Sequence, residues 1–388
     1  MEDGMLIQTK LLIPRVVTEL VERPRLIDRL NQGLKRDVTL ISAPAGYGKS
    51  TLAAAWLQQL SQPTAWVALD EQDSELAHFL AYLIGAIHAI HPKTCAKTAS
   101  LLNAAELPSS DYLAANFINE LAALPQFLDV ETTASQTGLI LVLDDYHLLN
   151  TPGVHSFMSK LIAYQPPGLH LVLICRKDPT QLPLVQLRAQ RKLLEIRLKD
   201  LRFDLSETRT FLRQIAGLTL PDEATTTLAK KTEGWVLGLR LASLSLRDKV
   251  NPTAFVQALQ GTDRYMMEFF LDEILAHQPE AIQNFLLKTA ILDRFCGPLC
   301  EAVTGLGDPT CNGKVYLERL EQINLFVISL DNEGQWYRFH HLFRDLLFHK
   351  LVSEYTIEEV NELHRRAIRW LADLGDLETA IAHALEAD

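Results

Sequence analysis

The stretch 37-DVTLISAPAGYGKSTLAAAWL-57 decides how this chain folds. Its opening, "DVTLIS" (37–42), is short, apolar and β-branched, as a strand covered on both faces must be. Its end, "STLAAAWL", is rich in Ala and Leu and suits a helix. Between them "APAGYGKST" follows the strand, G-x-x-x-x-G-K-[ST], helix order in which backbone N–H groups at a helix N-terminus grip phosphate. Ala43 replaces the first glycine, whereas Gly46, Gly48, Lys49, Ser50 and Thr51 are in place. The cradle is expected to comprise Ala45, Gly46, Tyr47, Gly48, Lys49, Ser50 and Thr51, taking ATP or ADP. Lys49 would reach the β- and γ-phosphates and Ser50 would ligate Mg²⁺. The plainer alternative is a Gly-rich turn with a solvated lysine.

Such a loop needs carboxylates at the end of a neighbouring strand, and "LILVLDDYH" supplies Asp144 and Asp145. Consecutive strand residues point in different directions, so Asp144 can meet the metal while Asp145 orients or activates the attacking water. The acidic run "LDEQDSE" offers competitors in Asp70, Glu71, Asp73 and Glu75, which equally suit a helix N-terminus. Arg176 follows the strand "LHLVLIC" and would face the same crevice, where it could sense the γ-phosphate.

A chain of 388 residues exceeds one ordinary core and implies several domains. No apolar run nears the roughly 18 residues of a spanning helix. The acidic N-terminus "MEDGMLIQTK" does not read as a signal peptide, so a cytoplasmic setting and no membrane partner are expected. Cysteines 95, 175, 296, 300 and 311 are odd in number and scattered, which suits reduced thiols. The spacing of Cys296, Cys300 and Cys311 matches no common zinc pattern, and buried apolar side chains are the simpler reading. A net charge of −11 argues against DNA binding by this chain.

Strands at 37–42, 64–70, 138–145, 169–175 and 193–198 alternate with helical patterns and predict a parallel sheet with helices on both faces, the α/β P-loop architecture. Beyond it, helices are expected from Ser206, as N-cap, to Gly217, and over 221–231, 236–246, 265–277 and 279–289. A helix at 314–324 then leads into the strands "LFVISLD" and "QWYRFH", with Asn332 and Gly334 at the tip, as in a winged helix. Two amphipathic helices broken at Gly375 read as the start of a helical repeat. The expected divisions are 1–203 for the nucleotide domain, 204–277 for a helical bundle, 278–350 for the winged helix and 351–388 for the repeat.

The ordered set "VERPRLIDRL", "SAPAGYGKST", "LDDYHLL", "EGWVLGLRLA" and "WYRFHHLFRDLL" resembles the signal-transduction ATPases with numerous domains (STAND), and among them the large MalT-like LuxR-type regulators. The resemblance implies that Val21, Arg23, Pro24 and Arg25 pack over adenine, although Pro24 also suits a helix start. It implies Mg²⁺-binding and catalytic roles for Asp144 and Asp145, a sensor role for Arg176 and a base contact at Val236, where the family usually has proline. His340 matches a histidine that touches the β-phosphate of ADP. It equally suits a hydrogen-bonded core histidine, and His341 competes with it.

The implied mechanism is a switch: an ADP-bound closed monomer, opened by ATP and an inducer for self-association, and reset by slow hydrolysis. Family members continue into a sensor region, where the inducer binds, and a DNA-binding helix-turn-helix. Both would lie beyond residue 388, so the chain is expected to be part of a longer regulator. The competing readings are a dedicated motor or metabolic ATPase and an interaction scaffold with a degenerate site.

Overall fold

The computed structural model describes residues 6–16, 20–92, 94–104, 106–124, 138–247, 253, 256, 267, 270–305, 312–322, 325–331 and 334–387. The chain divides into two compact units, Met1–Leu201 and Arg202–Asp388. The first boundary thus falls at Leu201, against 203 from the sequence, and the three later divisions lie within one unit.

The first unit is built on strands β1 (Val38–Ser42), β2 (Thr64–Ala68), β3 (Leu139–Asp144), β4 (Leu169–Cys175) and β5 (Leu193–Arg197). They pair in parallel in the order β2-β3-β4-β1-β5. Every residue of β1, β3 and β4 is buried, whereas the edge strands β2 and β5 keep half-exposed positions. Burial on both faces is why the central strands read as continuous apolar runs with no alternation. One polar side chain breaks the run in β4. His170 bonds to the Thr39 hydroxyl (3.0 Å) and the Arg36 carbonyl (2.8 Å), and burial pushes its pKa down to about 4.

Helix Pro24–Gly33 is tied into this unit by its polar face. Arg29 pairs with Asp200, and Asn31 accepts from the Trp56 indole at 2.9 Å. Lys10, upstream, reaches Asp70 (2.9 Å) and Asp73 (2.5 Å) and lies over the Tyr82 ring. Asp70 and Asp73 also cap the turn Glu71–Ser74 reciprocally, so these acidic residues serve as a cap and an anchor.

In the second unit Asp204 is the N-cap, closing a capping box with Glu207. Ser206, expected in that place, lies inside the helix; a glutamate stands three residues after Asp204. Helices Asp222–Thr232, Val236–Arg247 and Glu280–Thr289 follow. Of the helix expected over 265–277, Phe270–Leu275 forms a π-turn, and 265–266 and 268–269 lie outside the described residues. Helices Gly297–Thr304 and Gly313–Gln322 precede the hairpin β6 (Val327–Ser329) and β7 (Tyr337–Phe339). Phe295 adds a bridge to Tyr337, each N–H donating to the other's carbonyl at 2.8 Å. That completes a winged helix. Asn332 lies outside the described residues, and Gly334 takes a positive φ of 64°. Helices His341–Glu354, Ile357–Leu374 and Leu377–Glu386 close the unit, with Gly375 (φ 87°) ending the second of them.

No helix among the described residues is long and apolar enough to cross a membrane. Cys95, Cys175, Cys296 and Cys300 are buried free thiols, and Cys311 lies outside the described residues.

Gly234 carries a tight backbone constraint in this unit. It has φ 71°, follows Glu233 at φ 46°, and its carbonyl accepts from the Phe203 N–H at 3.0 Å. A Cβ there would sit 2.4 Å from the Phe203 carbonyl oxygen. Gly234→Ala is therefore expected to cost at least about 2 kcal/mol, read as a lower denaturation midpoint.

Candidate functional site

Residues 43–51 leave β1 and enter helix Lys49–Leu57 with Gly48 as N-cap. Gly46 and Gly48 hold φ of 78° and 75°, conformations that glycine adopts without a Cβ penalty. Nothing would touch a Cβ on Gly48, so backbone conformation and not space requires that glycine. Ala43 extends the ladder instead, its N–H donating to the Cys175 carbonyl at 3.3 Å, and it is fully buried. The first glycine of the pattern is dispensable here because its position does not need positive φ.

Lys49 is only 7% exposed, and its ammonium donates to the Pro44 carbonyl at 3.0 Å. Burial pushes its pKa down to about 8, opposed by the charges of Asp145 and Asp144 and assisted by Arg176. The Ser50 hydroxyl donates to Asp144 Oδ1 at 3.0 Å. Asp144, at the end of β3, is raised to about 6 by burial and by Asp145, against the Ser50 hydrogen bond and Lys49. A hydroxyl and a desolvated carboxylate on adjoining elements are hard oxygen donors, so the residues present fit Mg²⁺.

Asp145 leaves the strand with φ 56°, donating its own N–H to Asp144 Oδ1 at 3.0 Å, and its side chain is half-buried. Its Oδ1 lies 3.7 Å from Nδ1 of His147. Burial, then Arg176, Lys49 and Lys177, drive the His147 pKa down to about 3, so the ring is neutral and the contact is not an ion pair. Nδ1 of His147 has no hydrogen-bond partner. Sequence reading assigned His147 no role; its position in "DDYH" was the available signal.

Arg176 follows β4, which lies between β1 and β3 in the sheet. The structure therefore gathers Lys49, Ser50, Thr51, Asp144, Asp145 and Arg176 along one rim, the carboxyl ends of three adjacent strands. Val21 is half-buried, Pro24 begins its helix and Arg25 is exposed. Arg23 spends its guanidinium on the carbonyls of Leu201 (2.8 Å) and Asp200 (3.0 Å), a brace within the first unit.

Val236 and His340 belong to the second unit. Val236 opens a helix beside Trp235. His340 is 1% exposed, ringed by Trp235 and Phe326, with Nε2 2.9 Å from the Thr232 carbonyl. A carbonyl only accepts, so Nε2 carries the proton and Nδ1 is left as a buried acceptor without a partner. Burial lowers its pKa to about 4. His341 is exposed, 3.8 Å from Glu233. Glu233 also takes two hydrogen bonds from Arg338, which hold it near 2 against burial.

Residues 19–174 match the AAA ATPase domain family and residues 271–359 the MalT winged helix domain family. The chain thus carries an AAA ATPase domain and, after it, a MalT winged helix domain. It is homologous to the HTH-type transcriptional regulator MalT of Klebsiella pneumoniae, 34% identical over 389 residues, covering 99% of this chain and 41% of that protein. The serine/threonine-protein kinase PknK of Mycobacterium tuberculosis is 32% identical over 378 residues, covering 96% of this chain and 32% of the kinase. This AAA and winged-helix chain thus spans about a third to two fifths of the curated relatives it matches. Among solved structures, the Walker-type ATPase PABY2304 of Pyrococcus abyssi shares the fold, with TM-score 0.57, 14% identity and coverage of 87% of this chain and 98% of that one.

Two outcomes follow from the site's geometry. Ala43→Gly should cost about 0.5–1 kcal/mol of stability and leave nucleotide affinity unchanged, by denaturation and titration respectively. Asp144 titrates near 6 folded against 3.8 unfolded, so stability falls as pH rises from about 4 to about 6 and stays lower above that. Asp144→Asn is accordingly expected to stabilise the chain above pH 7 by on the order of 2 kcal/mol, with no gain below pH 4, read from denaturation midpoints across that pH range.

Proposed function

We propose that this chain is the ATP/ADP-dependent switch module of a MalT-like transcriptional activator of the STAND class. In this reading the ADP form is a closed resting monomer in the cytoplasm, ATP and an inducer open it for self-association, and slow hydrolysis resets it. The observation that carries the reading is the reuse of nearly this entire span, 96–99% of the chain, in a transcriptional regulator and in a protein kinase. A module common to two different outputs is suited to controlling them. The inducer and DNA would be engaged by regions outside residues 1–388.

On this reading each residue has a definite task. The backbone N–H groups of Ala45 to Thr51 bind the phosphates, and Lys49 exchanges the Pro44 carbonyl for a β- or γ-oxygen. Ser50 and Asp144 hold Mg²⁺, which when bound neutralises charge on those oxygens. Asp145, half-buried at the strand end, orients the attacking water, and Arg176 meets the γ-phosphate. Val21, Pro24 and Arg25 pack on adenine, with Arg23 fixing their backbone. Val236 adds a base contact, and His340 serves the β-phosphate of ADP. Because its Nδ1 is an acceptor, His340 must take up a proton to donate there, so ADP retention should weaken at alkaline pH.

Nucleotide released on denaturing the purified chain, together with steady-state turnover, tests the proposal. ADP near one equivalent and turnover well below about 1 s⁻¹ are expected. Fast turnover with no retained ADP would instead indicate a motor or metabolic ATPase. Lys49→Ala should weaken nucleotide binding at least about tenfold, whereas unchanged affinity would favour a scaffold. Asp145→Asn should lose hydrolysis and keep ATP binding.

A further inference from the structure

The C-terminal helices Ile357–Leu374 and Leu377–Glu386 form an antiparallel hairpin around a polar centre that plain helix packing does not call for. His364, 1% exposed, projects from the first helix, and His383, 5% exposed, from the second. Their Nδ1 atoms face each other at 3.0 Å. Glu386, one turn beyond His383 on the same helix face, brings Oε2 to 3.9 Å from His364 Nδ1. The three ligand atoms lie within 4.8 Å of one another.

Two imidazole nitrogens bound to one tetrahedral zinc at 2.0–2.1 Å stand about 3.3 Å apart, so this pair needs to separate by only a few tenths of an ångström. Burial holds both rings toward the neutral, ligating form. The nearby cation Arg344 is compensated by its ion pair with Asp293, and Arg294 by Asp376.

We propose that His364, His383 and Glu386 form a site for a divalent transition metal, best matched by Zn²⁺, that clasps the two helices together and leaves a fourth position open. Two nitrogens and one carboxylate favour Zn²⁺ over Mg²⁺, so this site is chemically distinct from the nucleotide's metal. Its ligands all belong to one helical hairpin, and binding requires no nucleotide.

The test uses the full chain, stripped with chelator, free of nucleotide and held in Mg²⁺ buffer, titrated with Zn²⁺ and separately with Co²⁺. One equivalent of Zn²⁺ should bind with a rise in melting temperature, and Co²⁺ should give visible absorption bands. His364→Gln and His383→Gln should each weaken binding at least about tenfold and abolish the thermal shift. Glu386→Gln, at a position 60% exposed and therefore safe for folding, should weaken binding and move the cobalt bands. Wild-type chain that takes up no cobalt overturns the proposal. So does a cobalt spectrum unchanged by Glu386→Gln or by the two histidine substitutions together, which would leave a simple histidine–histidine hydrogen bond in the hairpin.

Discussion

The burial of Lys49 beside Asp144 is the constraint on which the first unit depends. An ammonium 7% exposed and a carboxylate equally shielded both resist charging, and their pKa values move toward each other, to about 8 and about 6. Such a pair is tolerated when neighbouring elements over-determine its position. Three adjacent parallel strands do so here, with every residue of β1, β3 and β4 packed away from water. The left-handed turns at Gly46, Gly48 and Asp145 then aim the loop and the second carboxylate from those fixed strand ends. Stability is given up locally, and the groups at these strand ends are held in position by the sheet itself.

The second unit is organised by different means. Glu233 and Gly234 both take positive φ, which lets the Thr232 carbonyl serve the Trp235 N–H and the His340 ring together. Arg338 answers the Glu233 charge from the hairpin. A backbone corner, one ion pair and one buried histidine thus fasten the helical part of this unit to its wing.

Sequence similarity to proteins that are two to three times longer runs over 96–99% of the chain, as one continuous unit of similarity that takes in both compact cores. A paired-histidine hairpin at one end of that unit gives it a feature independent of the phosphate loop.

The sequence by itself determined the order of strands and helices, the phosphate loop, the acidic strand end and the wing, because those depend on local periodicity and on backbone chemistry within a few residues. It could also show that Ala43 replaced a glycine, but only the structure explained why that is harmless: the position continues a strand. Capping went the same way, with Asp204 in place of Ser206, since both residues satisfy the local preference and the geometry selects one. Tertiary structure alone decided that β4 lies between β1 and β3, bringing Arg176 to Lys49, and that Asp70 and Asp73 answer Lys10. It alone faced His364 with His383, whose 3.0 Å approach depends on the register of two helices. Strand order and helix register arise from long-range packing, and no local stretch of the chain carries that information.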